Sequence, residues 1–452
     1  MIRAKGKPFA RIFSGYLKIN YRAPQTYAFL SFFISKVQCI FIVVVISIFL
    51  VSCGGDDKNK FSPTWTFLVY VDGDNDLSEA AISDIAEMEA IGSTKNINIV
   101  VQLDLNGGVT TKRYRILKGS SELIADLGEL DMASPETLTD FLKWAKVSYP
   151  ADKTVLILWD HGNGWDQGDG PSIPKLKDAK GYHSYSLLID SDNNSPFLSN
   201  HKVKDAIKDS EIKIDILGFD ASIMGTIEVL YEFKDLSEVV ISSQEVGESH
   251  GWDYTAILSA LTTNPSMDIE ELSKVIVDSY KAFFEDQFYP SNPLYERRHT
   301  ISAFQTKYIS SIANEVDMLA QRFINLIDSP ESNEGLLVLI KEAREGVQEI
   351  DYYVQPYVYI DLVDLDRLLG QDTMISQLLS NATIAEYHGS ARGNAHGLSI
   401  VFFKLPEAMM VLTYDLNYRN YDPLTMTGNN GDFINQFNWD EFLKKYYKTL
   451  GF

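Results

Sequence analysis

The chain has 452 residues, 45% hydrophobic, 12% aromatic and 23% charged, a mixture that fits a globular protein with a large core and excludes a fibrous or disordered one. Its 40 basic and 62 acidic side chains give a formal net charge of −22. Residues 1–52 hold seven basic side chains and no acidic one, so the 33 basic residues beyond them (40 less seven) face all 62 acidic ones, a net charge of −29. A body that acidic is repelled by phosphate backbones, which argues against nucleic acid as a partner. The two cysteines, Cys39 and Cys53, both lie near the N-terminus. The rest of the chain therefore has no disulfide, thiolate metal site or thiol nucleophile.

Val37 to Val51 reads VQCIFIVVVISIFLV, an apolar run of 15 residues behind a basic, acid-free segment. That is the layout of a secretory signal, and the run is short for a membrane span of ~20 residues. Leu50-Val51-Ser52-Cys53-Gly54-Gly55 follows and resembles a bacterial lipoprotein signal, in which the cysteine is lipidated and becomes the mature N-terminus. An uncleaved anchor helix with an incidental cysteine is the alternative. Residues 1–52 are thus expected to be a lipoprotein signal peptide and 53–63 a flexible tether. The product would be an exported lipoprotein of the outer membrane or cell surface, held to the membrane by its lipid anchor.

From Thr64 onward short apolar runs alternate with helical patterns. Trp65–Val71 predicts a strand, Ser78–Ile91 a helix, Ile97–Leu103 a strand and Lys112–Leu117 a short strand of an extension. Pro135–Tyr149 places Leu138, Phe141, Leu142 and Ala145 on one helical face. Thr154–Trp159 is continuously apolar, as expected of a strand buried on both faces. A helix at Val203–Asp209, a strand at Ile214–Phe219, a helix at Ile223–Phe233 and a strand at Glu238–Ser243 follow. Later segments read as helices at Ile269–Gln287, Ile309–Ile327 and Leu336–Val347, then a final strand, Gly397–Phe403, before an aromatic tail. The alternation predicts an α/β fold, a mostly parallel sheet with helices on both faces. A core over 64–265 and a more helical region over 266–452, its final strand integrated with the core, complete the expected organisation.

In open parallel sheets reactive groups gather beyond the carboxyl ends of the strands. One such end is Asp160-His161-Gly162-Asn163-Gly164, where a His leaves a buried strand into a glycine-rich turn. It suits a catalytic His, or an ordinary turn residue. The other is Asp220-Ala221-Ser222, a strand running into a predicted helix. Ser222 there could be a nucleophile at a helix N-terminus, although an N-cap is the commoner role of Ser before a helix.

WTFLVYVDGDNDL, LILWDHGNGW, DILGFDASIMG, ISSQEVGESHGWDY and GNAHGLSIVFF, spread from Trp65 toward the C-terminus, together resemble the clostripain family of cysteine peptidases. The resemblance implies a caspase-like fold, a His–Cys dyad at adjacent strand ends, and cleavage after Arg or Lys. The partner it implies is a peptide or protein bearing those side chains. The family's catalytic His falls on His161, its nucleophile on Ser222, and the Asp that holds the basic substrate side chain on Asp220. Members often mature by self-cleavage at a basic residue between His and Cys, for which Lys175, Lys177 and Lys180 are the candidates; a solvated loop explains these lysines equally well.

Ser222 departs from the family pattern. A Cys ionises near ~8.5 and is intrinsically nucleophilic, whereas a Ser hydroxyl needs a base in direct contact, itself oriented by a third group. Asp160 is a poor orienter, because strand alternation points it away from His161. The expected function is a clostripain-like homologue with impaired or absent peptidase activity. The alternatives are an endopeptidase working with Ser222 and His161, a gene that naturally encodes Cys at 222, and a non-enzymatic peptide-binding surface protein. No cofactor or metal is required. Asp72-Gly73-Asp74-Asn75-Asp76 and Asp190-Ser191-Asp192-Asn193-Asn194 resemble calcium loops but lack the Gly and Glu that an EF-hand needs. Turn and cap roles are the simpler reading, with a single non-EF cation left open.

Overall fold

The run WTFLVYV becomes β1 (Trp65–Gly73), buried along its whole length. In this computed structural model, which describes residues 64–165, 187–188, 190, 197–329, 333–350, 359–370, 373–404 and 431–451, β1 pairs in parallel with β2 (Ile97–Leu105) on one side and β5 (Lys153–Trp159) on the other. Parallel pairing continues from β5 through β6 (Ile216–Asp220) to β7 (Val239–Ser242). Beyond β2, β3 (Val109–Leu117) and β4 (Ser120–Asp126) add an antiparallel ribbon. Beyond β7, β8 (Thr300–Gln305) and β11 (Thr383–His388) do the same. The result is a nine-stranded sheet in the order β11-β8-β7-β6-β5-β1-β2-β3-β4, in which only β3 and β8 run against the rest.

Strand alternation splits the buried side chains into two cores. Phe67, Val69, Val155, Ile157 and Ile216 face one way, against α1 (Ser78–Ile91), α5 (Tyr254–Thr263) and α6 (Ile269–Phe283). Leu68, Tyr70, Leu156, Leu158 and Leu217 face the other, against α2 (Pro135–Ser148), α3 (Asn200–Ser210), α4 (Ile227–Phe233) and α7 (Ile309–Asp328). The chain therefore winds in one sense from β1 to β2 and in the other toward β5. The crevice at that reversal is where open α/β sheets place their sites.

Several expectations need correction. The strand after Gly397 is short, β12 (Ser399–Val401), and belongs to a separate three-stranded sheet with β9 (Glu349–Ile350) and β10 (Tyr359–Asp361). Its continuation is capped by the aromatic tail: Trp439 Nε1–H donates to the Val401 carbonyl at 2.8 Å and the Tyr447 hydroxyl to that of Phe403 at 2.9 Å. The main sheet draws its outer strands β8 and β11 from segments read as neither. Their sequences, TISAFQ and TIAEYH, carry too many polar residues to read as apolar runs, yet β8 is buried almost throughout. The apolar run 37–51, Cys53 and the lysines at 175, 177 and 180 lie outside the described residues. Among those described, no helix is long and apolar enough to cross a membrane.

One buried group sets a pH dependence. Asp72, near the end of β1, is fully buried, and neither carboxylate oxygen has a hydrogen-bond partner among the described residues. Burial, reinforced by the charges of Asp160, Asp190, Asp104 and Asp74, holds its carboxyl well above the usual range. The folded protein thus keeps a proton that the unfolded chain releases near pH ~4, so this group's contribution to stability falls as pH rises above that point. Asp72→Asn should raise the thermal midpoint by ~2–4 °C at about pH 8 and by less near pH 4.5, as read by calorimetry at the two pH values.

Candidate active site

Three neighbouring strand ends build the site. Beyond β5, the Asp160 carboxylate accepts a hydrogen bond from Asn75 Nδ2 at 2.8 Å, and the next residue, His161, turns toward a cavity of about 490 Å³. The loop is fixed from the small sheet: the Tyr359 hydroxyl donates to the Asn163 carbonyl at 2.8 Å and accepts the Trp165 N–H at 3.3 Å. Gly162 is required by close approach, since a Cβ there would sit 2.3 Å from the Ser222 carbonyl oxygen. The His loop and the Ser222 loop are thus pressed together backbone to backbone.

Beyond β6, Ser222 is neither a helix cap nor at a helix N-terminus, which corrects the expectation. The cap of α4 is Thr226, whose hydroxyl accepts the Val229 N–H. The reason is local: Ile223 is held at φ 62°, a conformation that a β-branched residue rarely adopts. Its N–H donates to the Glu245 carbonyl at 3.1 Å, and the Gly225 N–H to that of Ser243 at 2.7 Å. The turn therefore binds the strand next door before a helix can begin. Ser222 Oγ accepts the Gly247 N–H at 3.0 Å.

Asp220 lines the same cavity. Its Oδ2 accepts the Tyr254 hydroxyl at 2.9 Å and the Trp252 N–H at 3.2 Å, while Oδ1 has no partner among the described residues. Burial pushes its pKa up to about 7, against the lowering effect of those two donors. Behind it, Asp84 accepts the Trp159 indole N–H at 2.7 Å. Burial and then the Asp220 charge push Asp84 up to about 9, so it is neutral when Asp220 ionises. Glu248, also in the lining, is engaged by Arg298 at 3.0 Å.

The residue that sequence reasoning missed as a site member is Asp76. It follows β1, and its Oδ1 lies 2.8 Å from His161 Nε2. Burial lowers the His161 pKa, but the hydrogen bond that its Nε2–H donates to Asp76 and the charges of Asp160 and Asp76 outweigh it, and the net shift is upward. The same contact holds the Asp76 carboxyl below its usual range. The signal was available, since β1 and β5 are adjacent and parallel and their following residues must lie side by side. The DGDND stretch, weighed only as a turn or calcium loop, forms a turn in which Asn75 Oδ1 accepts the Leu77 N–H at 2.8 Å. Asp190 accepts the Met132 N–H at 2.7 Å. Among the described residues no group of three His, Cys, Asp or Glu is arranged to hold a metal ion.

A mostly parallel sheet covered on both faces, with a His and a hydroxyl side chain on loops after neighbouring strands, defines a protein of the caspase-like peptidase fold. The chain belongs to the clostripain family, whose model matches residues 69–446. It is 26% identical over 384 residues to clostripain of Hathewaya histolytica, across 72% of this chain and 70% of that protein. Two solved structures share the fold. One is an inactive zymogen C11 protease from Parabacteroides distasonis, with a TM-score of 0.57 and 19% identity over 78% of this chain and 96% of that one. The other is a secreted C11 cysteine protease from Bacteroides thetaiotaomicron in complex with an irreversible peptide inhibitor, with a TM-score of 0.58 and 18% identity over the same shares.

Proposed function

We propose that this clostripain homologue is an exported lipoprotein that binds peptides through an Arg or Lys side chain, and that its hydrolytic step is impaired by Ser222. The observation that carries the reading is one cavity lined by His161, Ser222 and Asp220. A guanidinium or ammonium entering it meets the open Oδ1 of Asp220, and a carboxylate can pair bidentately with Arg. The scissile carbonyl would then lie at residue 222.

At that position chemistry decides the outcome. Ser222 Oγ accepts from Gly247 and shares no hydrogen bond with His161, so the base is not in contact with the proton it must remove. A thiol tolerates this, because a nearby imidazolium supports a standing thiolate; a hydroxyl does not. The Asp76 contact favours the rival reading, an endopeptidase working with Ser222, since it supplies the third group that a Ser–His pair needs. Peptide recognition is supported by the inhibitor-bound relative and export by its description as secreted. Anchoring rests on Cys53 behind the apolar run.

Three outcomes are expected. An Arg-ending peptide should bind weakly, more tightly at pH 8 than at pH 6 because Asp220 ionises near about 7. Calorimetry should show that binding lost in Asp220→Ala and against a norleucine-ending peptide. Ser222→Cys should raise cleavage after Arg in a fluorogenic peptide by ~100-fold or more, a few kcal/mol of transition-state stabilisation, and His161→Ala should remove the gain. Wild-type activity equal to that of Ser222→Cys would establish Ser222 as a competent nucleophile. Labelled fatty acid should enter the wild-type protein and not Cys53→Ala.

A further inference from the structure

We infer that Asp76 is a positioning residue of this site: from the carboxyl end of β1 it holds His161 by Nε2, which leaves Nδ1 as the nitrogen offered to the side chain at position 222. The inference rests on the proposed peptidase-type site and deepens it.

A surface ion pair would be a poor warrant, because exposed pairs often contribute little and the Asp76 side chain is 68% exposed. What distinguishes this one is how its loop is held. Val71 and Trp159 are register partners in the parallel β1–β5 ladder, so the residues that follow each strand emerge side by side. Asn75, next to Asp76, is buried and donates both to Asp160, the neighbour of His161, at 2.8 Å and to the Asp72 carbonyl at 3.3 Å. Its own carbonyl accepts Asn106 Nδ2 at 2.8 Å. Asp76 is thus set opposite His161 by buried bonds to the segment that carries the imidazole. The other acids near the ring are Asp160, next to it in the chain, and Asp220 and Glu248 in the cavity lining; among the described residues Asp76 is the one that bonds to it.

The consequence is a choice of tautomer. A neutral imidazole donating Nε2–H to Asp76 keeps its lone pair on Nδ1. In Ser222→Cys, the thiol proton passes to Nδ1, and the imidazolium is stabilised on its far side by the carboxylate. The sulfur then forms a bond to the scissile carbonyl carbon. As the C–N bond breaks, the proton on Nδ1 leaves with the amine, and water later releases the acyl group. Without Asp76 the ring is free to flip or to place its proton on Nδ1, and neither state accepts a proton from residue 222.

The test reads the ring and the thiol separately from peptide cleavage. Imidazole nitrogen resonances of full-length protein, assigned with His161→Ala, should show His161 with its neutral-state proton on Nε2. In Asp76→Ala the tautomers should mix and the titration midpoint fall. In Asp76→Asn the amide oxygen still accepts, so the Nε2–H form should persist with a lowered midpoint. In Ser222→Cys, alkylation of Cys at 222 by iodoacetamide, followed on the isolated peptide, should slow roughly five- to tenfold at about pH 7 on adding Asp76→Ala, with rates converging near pH 10, as for a thiolate that has lost its imidazolium support. An unchanged tautomer and midpoint in Asp76→Ala, or equal alkylation rates at both pH values, would overturn the inference. Tautomer and alkylation as expected in a Ser222→Cys protein that cuts no peptide would instead overturn the proposed function and leave the role of Asp76 standing.

Discussion

The parallel pairing of β5 with β1 on one side and β6 on the other brings three carboxyl ends into line, and together they deliver four polar side chains to the same cavity: Asp76, His161, Asp220 and Ser222. No loop has to reach. Hydrogen bonds between adjacent strands fix the lateral spacing, so the geometry of the site is inherited from the ladder rather than from mobile connections. Two further constraints refine it. The glycine at 162 lets the His loop touch the Ser222 loop, and Tyr359 locks the far side of that His loop from the small sheet.

The acidity of the chain beyond residue 52 has a local counterpart around Asp220. Asp84 lies behind it, Glu87 accepts the Tyr254 N–H at 2.9 Å nearby and Glu248 shares the lining, yet the four do not act as equal charges. Asp84 is driven to its neutral form, Glu87 is raised by burial, and Glu248 is matched by Arg298. The carboxylate that remains open to the cavity is Asp220, supported by a phenol and a backbone amide. Asp76 lines the same cavity but is engaged by His161, so an entering cation finds its open acceptor at Asp220, which favours a directed donor over simple counter-ions.

Much of this was legible in the sequence because burial on both faces forces continuous apolar runs. The bounds of α1 are those its periodicity predicts, and β1, β2 and β5 differ by a residue or two. The readable fraction falls where the pattern is carried by pairing instead of hydrophobicity. β8, with Thr300 and Ser302 buried in its interior, has no run to detect, and β4 is an exposed edge strand whose side chains answer to its neighbour. At the site, His161 and Asp220 could be placed because strand ends are predictable. Ser222 follows the expected strand, but the helix expected directly after it starts only at Ile227, since a helix start at Ile223 assumes ordinary φ and no propensity anticipates a β-branched residue at φ 62°. Asp76 escaped because its partner is 85 residues away and only the strand order brings the two together.

That strained turn bears on what the site is built to do. A residue such as Ile at positive φ costs of order 1–3 kcal/mol and persists only where its surroundings over-determine it. Glycine would remove that backbone cost but would also empty the core site that the Ile223 side chain fills. Here the turn is held by backbone bonds to Glu245 and Ser243 and by a buried Ile223 side chain. Its effect is to lift the side chain at 222 off the helix that follows and beneath the Gly247 N–H, beside the His loop. An N-cap would need none of this, because Thr226 already does that work four residues later. The strained backbone thus presents a side chain that caps no helix and instead takes the Gly247 N–H, at the wall of the cavity that His161 and Asp220 also line. The strained loop, the His161 imidazole and the Asp220 carboxylate are each held by partners of their own, and none of those bonds passes through the γ atom of residue 222.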